Sequence, residues 1–164
     1  MEASSAHVFI VEDDQLLATA LSAQVETLGY RVAGMANTGE DAVRGVLQSK
    51  PQVVIMDMRL GGWMTGLDAA KSIRRALEVP IIFYTAHGGD SELKQEVATM
   101  GNAQLLHKPA QEQTLLAALA GVLRWSRQGS LRRRRARGAR RAPSRRSARS
   151  AEAQGPHRAV CART

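Results

Sequence analysis

Glu12-Asp13-Asp14, Asp57, Thr85 and Lys108 each stand just beyond a short apolar run. The runs are His7-Val8-Phe9-Ile10-Val11, Val53-Val54-Ile55-Met56, Pro80-Ile81-Ile82-Phe83-Tyr84 and Gln104-Leu105-Leu106-His107. Short, apolar and rich in β-branched residues, they read as buried parallel strands. Side chains at the carboxyl ends of such strands share one rim of an open sheet, where α/β proteins bind ligands. That rim would gather the carboxylates of Glu12, Asp13 and Asp57, the Thr85 hydroxyl and the Lys108 ammonium. Crowded carboxylates repel, and a hard cation such as Mg2+ relieves the repulsion while taking oxygen ligands. Asp57 then becomes a nucleophile of the kind that forms aspartyl phosphates. Lys108 and Thr85 would neutralise and hold phosphoryl oxygens, and positioning with charge neutralisation is most of what phosphoryl transfer requires.

The elements that must position this set can be read along the chain. Asp14 is expected to cap a helix over Gln15 to Leu28, with Leu17, Leu21, Val25 and Leu28 as its apolar stripe and Gly29 ending it. Tyr30 to Ala36 reads as a strand. Thr38 should cap a second helix whose buried face is Ala42, Val43, Val46 and Leu47, stopped by Pro51. After the central strand comes a Gly-rich loop, Arg59 to Gly66, and a helix over Leu67 to Ala76. Ser91 to Met100 and Gln111 to Arg124 read as the last two helices. Five strands alternating with five helices predict a flavodoxin-like, doubly wound α/β fold with a parallel sheet in the order 2-1-3-4-5. Its switch point falls between strands one and three, where Glu12, Asp13 and Asp57 would meet.

Charge divides the chain. Residues 1–126 hold 10 Lys and Arg against 14 Asp and Glu, a net of −4. Residues 127–164 hold 13 Arg against one acid, a net of +12, which together give the chain's +8. The basic character therefore belongs to the last 38 residues and says nothing about the folded part. That segment lacks apolar periodicity, contains the run Arg132 to Arg135, and is expected to be disordered. Three readings stand open for it: an arm for nucleic acid or an acidic partner, a solvated appendage, or the product of a GC-rich gene read in a shifted frame. One cysteine, Cys161, excludes an internal disulfide and suits a reducing compartment. No apolar run approaches the length of a membrane span, and no secretory signal is visible, so a soluble cytoplasmic protein is expected.

Taken in order, Val11-Glu12-Asp13-Asp14, Met56-Asp57-Met58-Arg59-Leu60, Tyr84-Thr85-Ala86 and His107-Lys108-Pro109 resemble the receiver domain of bacterial two-component response regulators. Each motif alone is weak; the ordered set is specific. The resemblance covers residues 6–125, leaving 126–164 as the basic tail. It implies that Asp57 is the phosphoacceptor and that Thr85 and Lys108 contact the phosphoryl group. Asp13, Asp57 and the backbone carbonyl of Arg59 would bind Mg2+ directly, with Glu12 acting through water. The implied partners are a sensor histidine kinase or histidine phosphotransfer protein and a protein effector, with nucleic acid reached only through the tail, and no enzyme activity is implied.

The sequence departs from the family pattern in places. The position three before the lysine, usually Tyr or Phe, is Leu105. Ala110 stands where an aromatic usually follows Lys-Pro, and Gly61 stands where Pro is usual. Arg59 and His87 occupy positions that tune the lifetime of the phosphorylated state in the family. Two further readings stand beside it: a DNA-binding regulator acting through the arginine tail, and a degenerate receiver that is never phosphorylated. An aspartate-dependent phosphatase would need a second acid two residues after its nucleophile, where this chain has Arg59.

Overall fold

Alternation along the strands decides the architecture. A computed structural model describes residues 5–86 and 91–139, with side chains described as far as Trp125. The strands are β1 (His7–Val11), β2 (Arg31–Ala36), β3 (Val53–Met56), β4 (Ile81–Thr85) and β5 (Ala103–His107). Between and after them run α1 (Gln15–Thr27), α2 (Gly39–Ser49), α3 (Gly66–Ala76), α4 (Ser91–Thr99) and α5 (Glu112–Ala139). All pairings are parallel, and the sheet order is β2-β1-β3-β4-β5. The doubly wound order expected from the sequence is therefore the one found.

Successive strand residues point to opposite faces. Phe9, Val11, Val54, Met56, Ile81 and Phe83 pack with Ala42 and Val46 of α2, Ala69, Ala70 and Ile73 of α3, and Val97 of α4. Val8, Ile10, Val53, Ile55, Ile82 and Leu106 pack with Leu21 and Val25 of α1 and Leu115, Ala118, Leu119 and Val122 of α5. Both faces of the sheet are covered, which is why the central strands read as unbroken apolar runs. Contacts divide the chain into one unit of Met1–Ser130 and another of Leu131–Thr164, and the sheet lies wholly in the first.

Two local expectations are revised. In α1 the stripe begins at Ala18, not Leu17; Leu17 is 49% and Leu16 83% exposed. Either residue satisfies a helical period with Leu21 and Val25, so periodicity does not choose between them. Helix α2 ends before Pro51 as expected, with Lys50 as its left-handed cap (φ 47°). Helix α5 does not stop at Arg124; its backbone stays helical to Ala139, into the segment expected to lack structure. Arg, Gln, Leu and Ala are good helix formers, and extending an anchored helix needs no new nucleus. Residues 140–164, together with His87 and Gly88-Gly89, lie outside the described residues.

Candidate functional site

Glu12, Asp57 and Lys108 are each set by a backbone bond that continues the ladder of the preceding strand. Glu12 follows β1, and its N–H donates to the carbonyl of Ala36 at 3.0 Å. Asp57 follows β3, and its N–H donates to the carbonyl of Val11 at 2.9 Å. Lys108 follows β5, and its N–H donates to the carbonyl of Thr85 at 3.0 Å. Thr85 itself closes β4 and is fully buried. Asp14, expected only as a cap, accepts from the N–H groups of Leu16 at 2.8 Å and Leu17 at 3.1 Å.

Carboxylate oxygens of Glu12, Asp13 and Asp57 lie within 4.8 Å of one another. Glu12 is buried, Asp57 half-buried and Asp13 exposed, so the cluster opens to solvent on the Asp13 side. The Lys108 ammonium donates to Asp57 Oδ2 at 2.6 Å and to Glu12 Oε2. The other Asp57 oxygen, Oδ1, accepts the N–H of Arg59 at 3.2 Å.

Burial raises the Glu12 carboxyl above its ordinary range, and the opposing pull of Lys108 does not cancel it. Burial alone would lower Lys108, but its hydrogen bonds and charge contacts with Asp57 and Glu12 together raise it, so it is held as an ammonium. Three carboxylates against one ammonium leave the pocket two negative charges in excess. Clustered oxygen donors with that excess fit a hard divalent cation.

A comparison with known families decides what this geometry belongs to. The sequence matches the response regulator receiver domain over residues 8–120. The chain belongs to the response regulator receiver family. Among named relatives, this receiver is 41% identical over 81 residues to the phyllosphere-induced regulator PhyR of Methylorubrum extorquens, an alignment covering 49% of this chain and 30% of PhyR. It is 32% identical over 117 residues to the transcriptional regulatory protein AfsQ1 of Streptomyces coelicolor, covering 71% of this chain and 51% of AfsQ1. The chain thus spans about a third to a half of the length of these relatives. Among solved structures, the signal receiver domain of a modulated diguanylate cyclase from Desulfovibrio desulfuricans G20 superposes with a TM-score of 0.69 at 32% identity. That match covers 77% of this chain and 99% of that one.

Two residues of the receiver's rim carry roles the sequence reading did not assign. A Cβ on Gly66 would stand 1.9 Å from the Asp57 carbonyl oxygen, and the Gly66 N–H donates to the carbonyl of Met58 at 3.0 Å. The start of α3 is therefore pressed against the backbone of Asp57, an approach only glycine permits. Nothing in a Gly-rich loop tells which glycine makes such a contact. The second residue is Tyr84, whose hydroxyl accepts the N–H of Ala110 at 3.0 Å and whose ring centroid lies 5.5 Å from Lys108 Nζ. Its signal was present: it is the one residue of the run Ile81 to Tyr84 with a polar tip. Trp63, in the loop after β3, is fully exposed. Leu105 packs on the α3 and α4 side of the sheet.

Proposed function

We propose that this receiver takes a phosphoryl group from a phosphohistidine onto Asp57 and signals the change through protein contact. The observation that carries the reading is the Lys108 ammonium held between Asp57 and Glu12 beside Asp13. Such a set of charges is costly to gather unless it is used.

In the transfer, a carboxylate oxygen of Asp57 attacks phosphorus. The O–P bond forms as the P–N bond breaks, and the imidazole leaves with the electron pair. Glu12, Asp13, Asp57 and the Arg59 carbonyl would hold Mg2+, which when bound supplies positive charge to the acids and to the incoming phosphoryl oxygens. The Arg59 N–H orients Asp57 by holding Oδ1. Lys108 is already at Oδ2, so a short shift carries its ammonium to a phosphoryl oxygen. The Thr85 hydroxyl, at the end of β4, would donate to another. The product adds charge and acceptor oxygens at Asp57, and Lys108 and Thr85 follow that charge, altering the surface of α4, β5 and α5.

The donor is then a sensor histidine kinase or a histidine phosphotransfer protein, the target a protein effector, and the setting the cytoplasm. Among the described residues no helix is long and apolar enough to cross a membrane. This role is regulatory, not enzymatic. Retention of all three acids and the lysine argues against a degenerate receiver.

The test is intact mass after incubation with acetyl phosphate, with and without Mg2+, for the wild type and Asp57→Asn. One phosphoryl addition that needs both Mg2+ and Asp57 is expected. A folded wild-type chain that gains no mass, and that binds no beryllofluoride either, would overturn the reading.

A further inference from the structure

We infer that Tyr84 is the positioning residue for Lys108, holding it from β4 by its ring and by a hydrogen bond to the turn that follows it. This rests on the phosphoacceptor reading above.

Pro109 follows Lys108 directly. Proline has no N–H, so the first backbone donor after Lys108 is that of Ala110. That donor is taken by the Tyr84 hydroxyl at 3.0 Å. The turn leaving the rim is thereby tied to β4 one residue before Thr85. Strand pairing sets Tyr84 opposite Leu106 and Thr85 opposite His107, so the tie spans the two strands at the rim. Tyr84 and Ala110 both pack on the α1 and α5 side of the sheet. Leu105, on the neighbouring strand, packs on the other side and offers Lys108 neither a ring nor a hydroxyl.

The ring acts on the ammonium itself. Lys108 Nζ lies 5.5 Å from its centroid. That is within the roughly 6 Å over which an aromatic face attracts a cation. The ammonium thus rests between two carboxylates and a ring. When phosphoryl charge draws it forward it leaves the carboxylates, while the ring and the tether keep the side chain aimed along the rim. Tyr84 touches no reacting atom and acts only through Lys108.

The experiment uses the full chain with Tyr84→Phe, which removes the tether and keeps the ring, and Tyr84→Leu, which removes both. Affinity for beryllofluoride in saturating Mg2+ is measured for each, with the NMR shifts of the Lys108 ε-methylene protons in the free protein. Affinity is expected to fall about 3-fold in Tyr84→Phe and about 10-fold in Tyr84→Leu. The upfield ring shift of the Lys108 protons should be present in the wild type and persist in Tyr84→Phe, which would show that the ring stays over the ammonium when the tether is cut. Beryllofluoride binding by Tyr84→Leu equal to wild type overturns the inference. Should Tyr84→Leu fail to fold, wild-type affinity in Tyr84→Phe overturns the tether. Absence of beryllofluoride binding by the wild type would instead overturn the phosphoacceptor reading, and an unshifted wild-type Lys108 would separately overturn the ring contact.

Discussion

The two halves of the rim are built differently. On the β1–β3 half, Val8 to Val11 and Val53 to Met56 are buried, and Glu12 and Asp57 continue the ladder through backbone bonds. The Asp57 carbonyl is backed by the close approach of Gly66. On the β4–β5 half, β5 is an edge strand, largely half-exposed, and Lys108 is held beyond its single ladder bond by side chains: Tyr84, Asp57 and Glu12. The acids that must stay fixed are placed by backbone. The cation that must follow charge is placed by contacts that can yield. Preorganised acids avoid a reorganisation cost at the moment of reaction, whereas a tethered lysine retains the freedom a switch requires.

Gly66→Ala tests the rigid half and should have the largest effect. A methyl group 1.9 Å from a backbone oxygen has no flexible neighbour to displace. Either α3 retreats or Asp57 moves, at about 3 kcal/mol, the upper end of ordinary overpacking costs. Denaturant unfolding should show that loss, and beryllofluoride affinity should fall with it. Gly61→Ala is the control from the same loop, since its added carbon would meet only the Asn37 carbonyl at 3.9 Å. Equal stability in the two variants would mean that the Asp57 backbone is not braced by α3.

Lys108→Met tests the yielding half. Removing one partner of a fully buried ion pair costs about 3–5 kcal/mol; with Lys108 and Asp57 only partly enclosed, about 2 kcal/mol is expected. The loss comes from leaving Glu12 buried beside Asp57 without a counter-charge. Mg2+ supplies that charge from the other side, so saturating Mg2+ should raise Tm more in the variant than in the wild type. A smaller Mg2+ effect in Lys108→Met would show that Lys108 and the cation do not share the same carboxylates.

The contrast between the halves also marks what could be read in the sequence. The acids, the sheet order and the central strands were legible, because fully buried parallel strands leave unbroken apolar runs and the acids stand at their ends. Asp14 and Thr38 were legible as caps for the same local reason, and each accepts N–H bonds from the helix it starts. Gly66 was not, because the need for glycine there arises from the backbone of a residue nine positions away. The place of Ala18 over Leu17, and the continuation of α5 through an arginine-rich stretch, depended on packing and on an already anchored helix, neither of which periodicity records. Tyr84 fell between these cases: its chemistry was visible, but its partner Ala110 lies across a strand pairing and a turn.

The smallest effect is a slope, and it probes the point where the two halves meet. Glu12 belongs to the rigid half by backbone and to the yielding half through Lys108. Burial raises its carboxyl above the ordinary 4.5 despite the ammonium. Between that value and the raised one, the unfolded chain has released the proton while the folded chain still holds it. Stability contributed by Glu12 is therefore complete below the ordinary value and is lost as pH rises through the folded one. Asp68, held below the usual aspartate range mainly by the Thr65 hydroxyl, works in the opposite sense, and only at lower pH. Lys108, raised by its carboxylate partners, acts only in alkali, so neither intrudes on the interval. Unfolding midpoints taken from pH 4.5 to 7 with a chelator present should decline more steeply in the wild type than in Glu12→Gln. The same slope in both would mean that Lys108 compensates Glu12 fully. The lysine would then be as fixed as the acids, and the division of the rim into a rigid and a yielding half would fail at the contact that joins them.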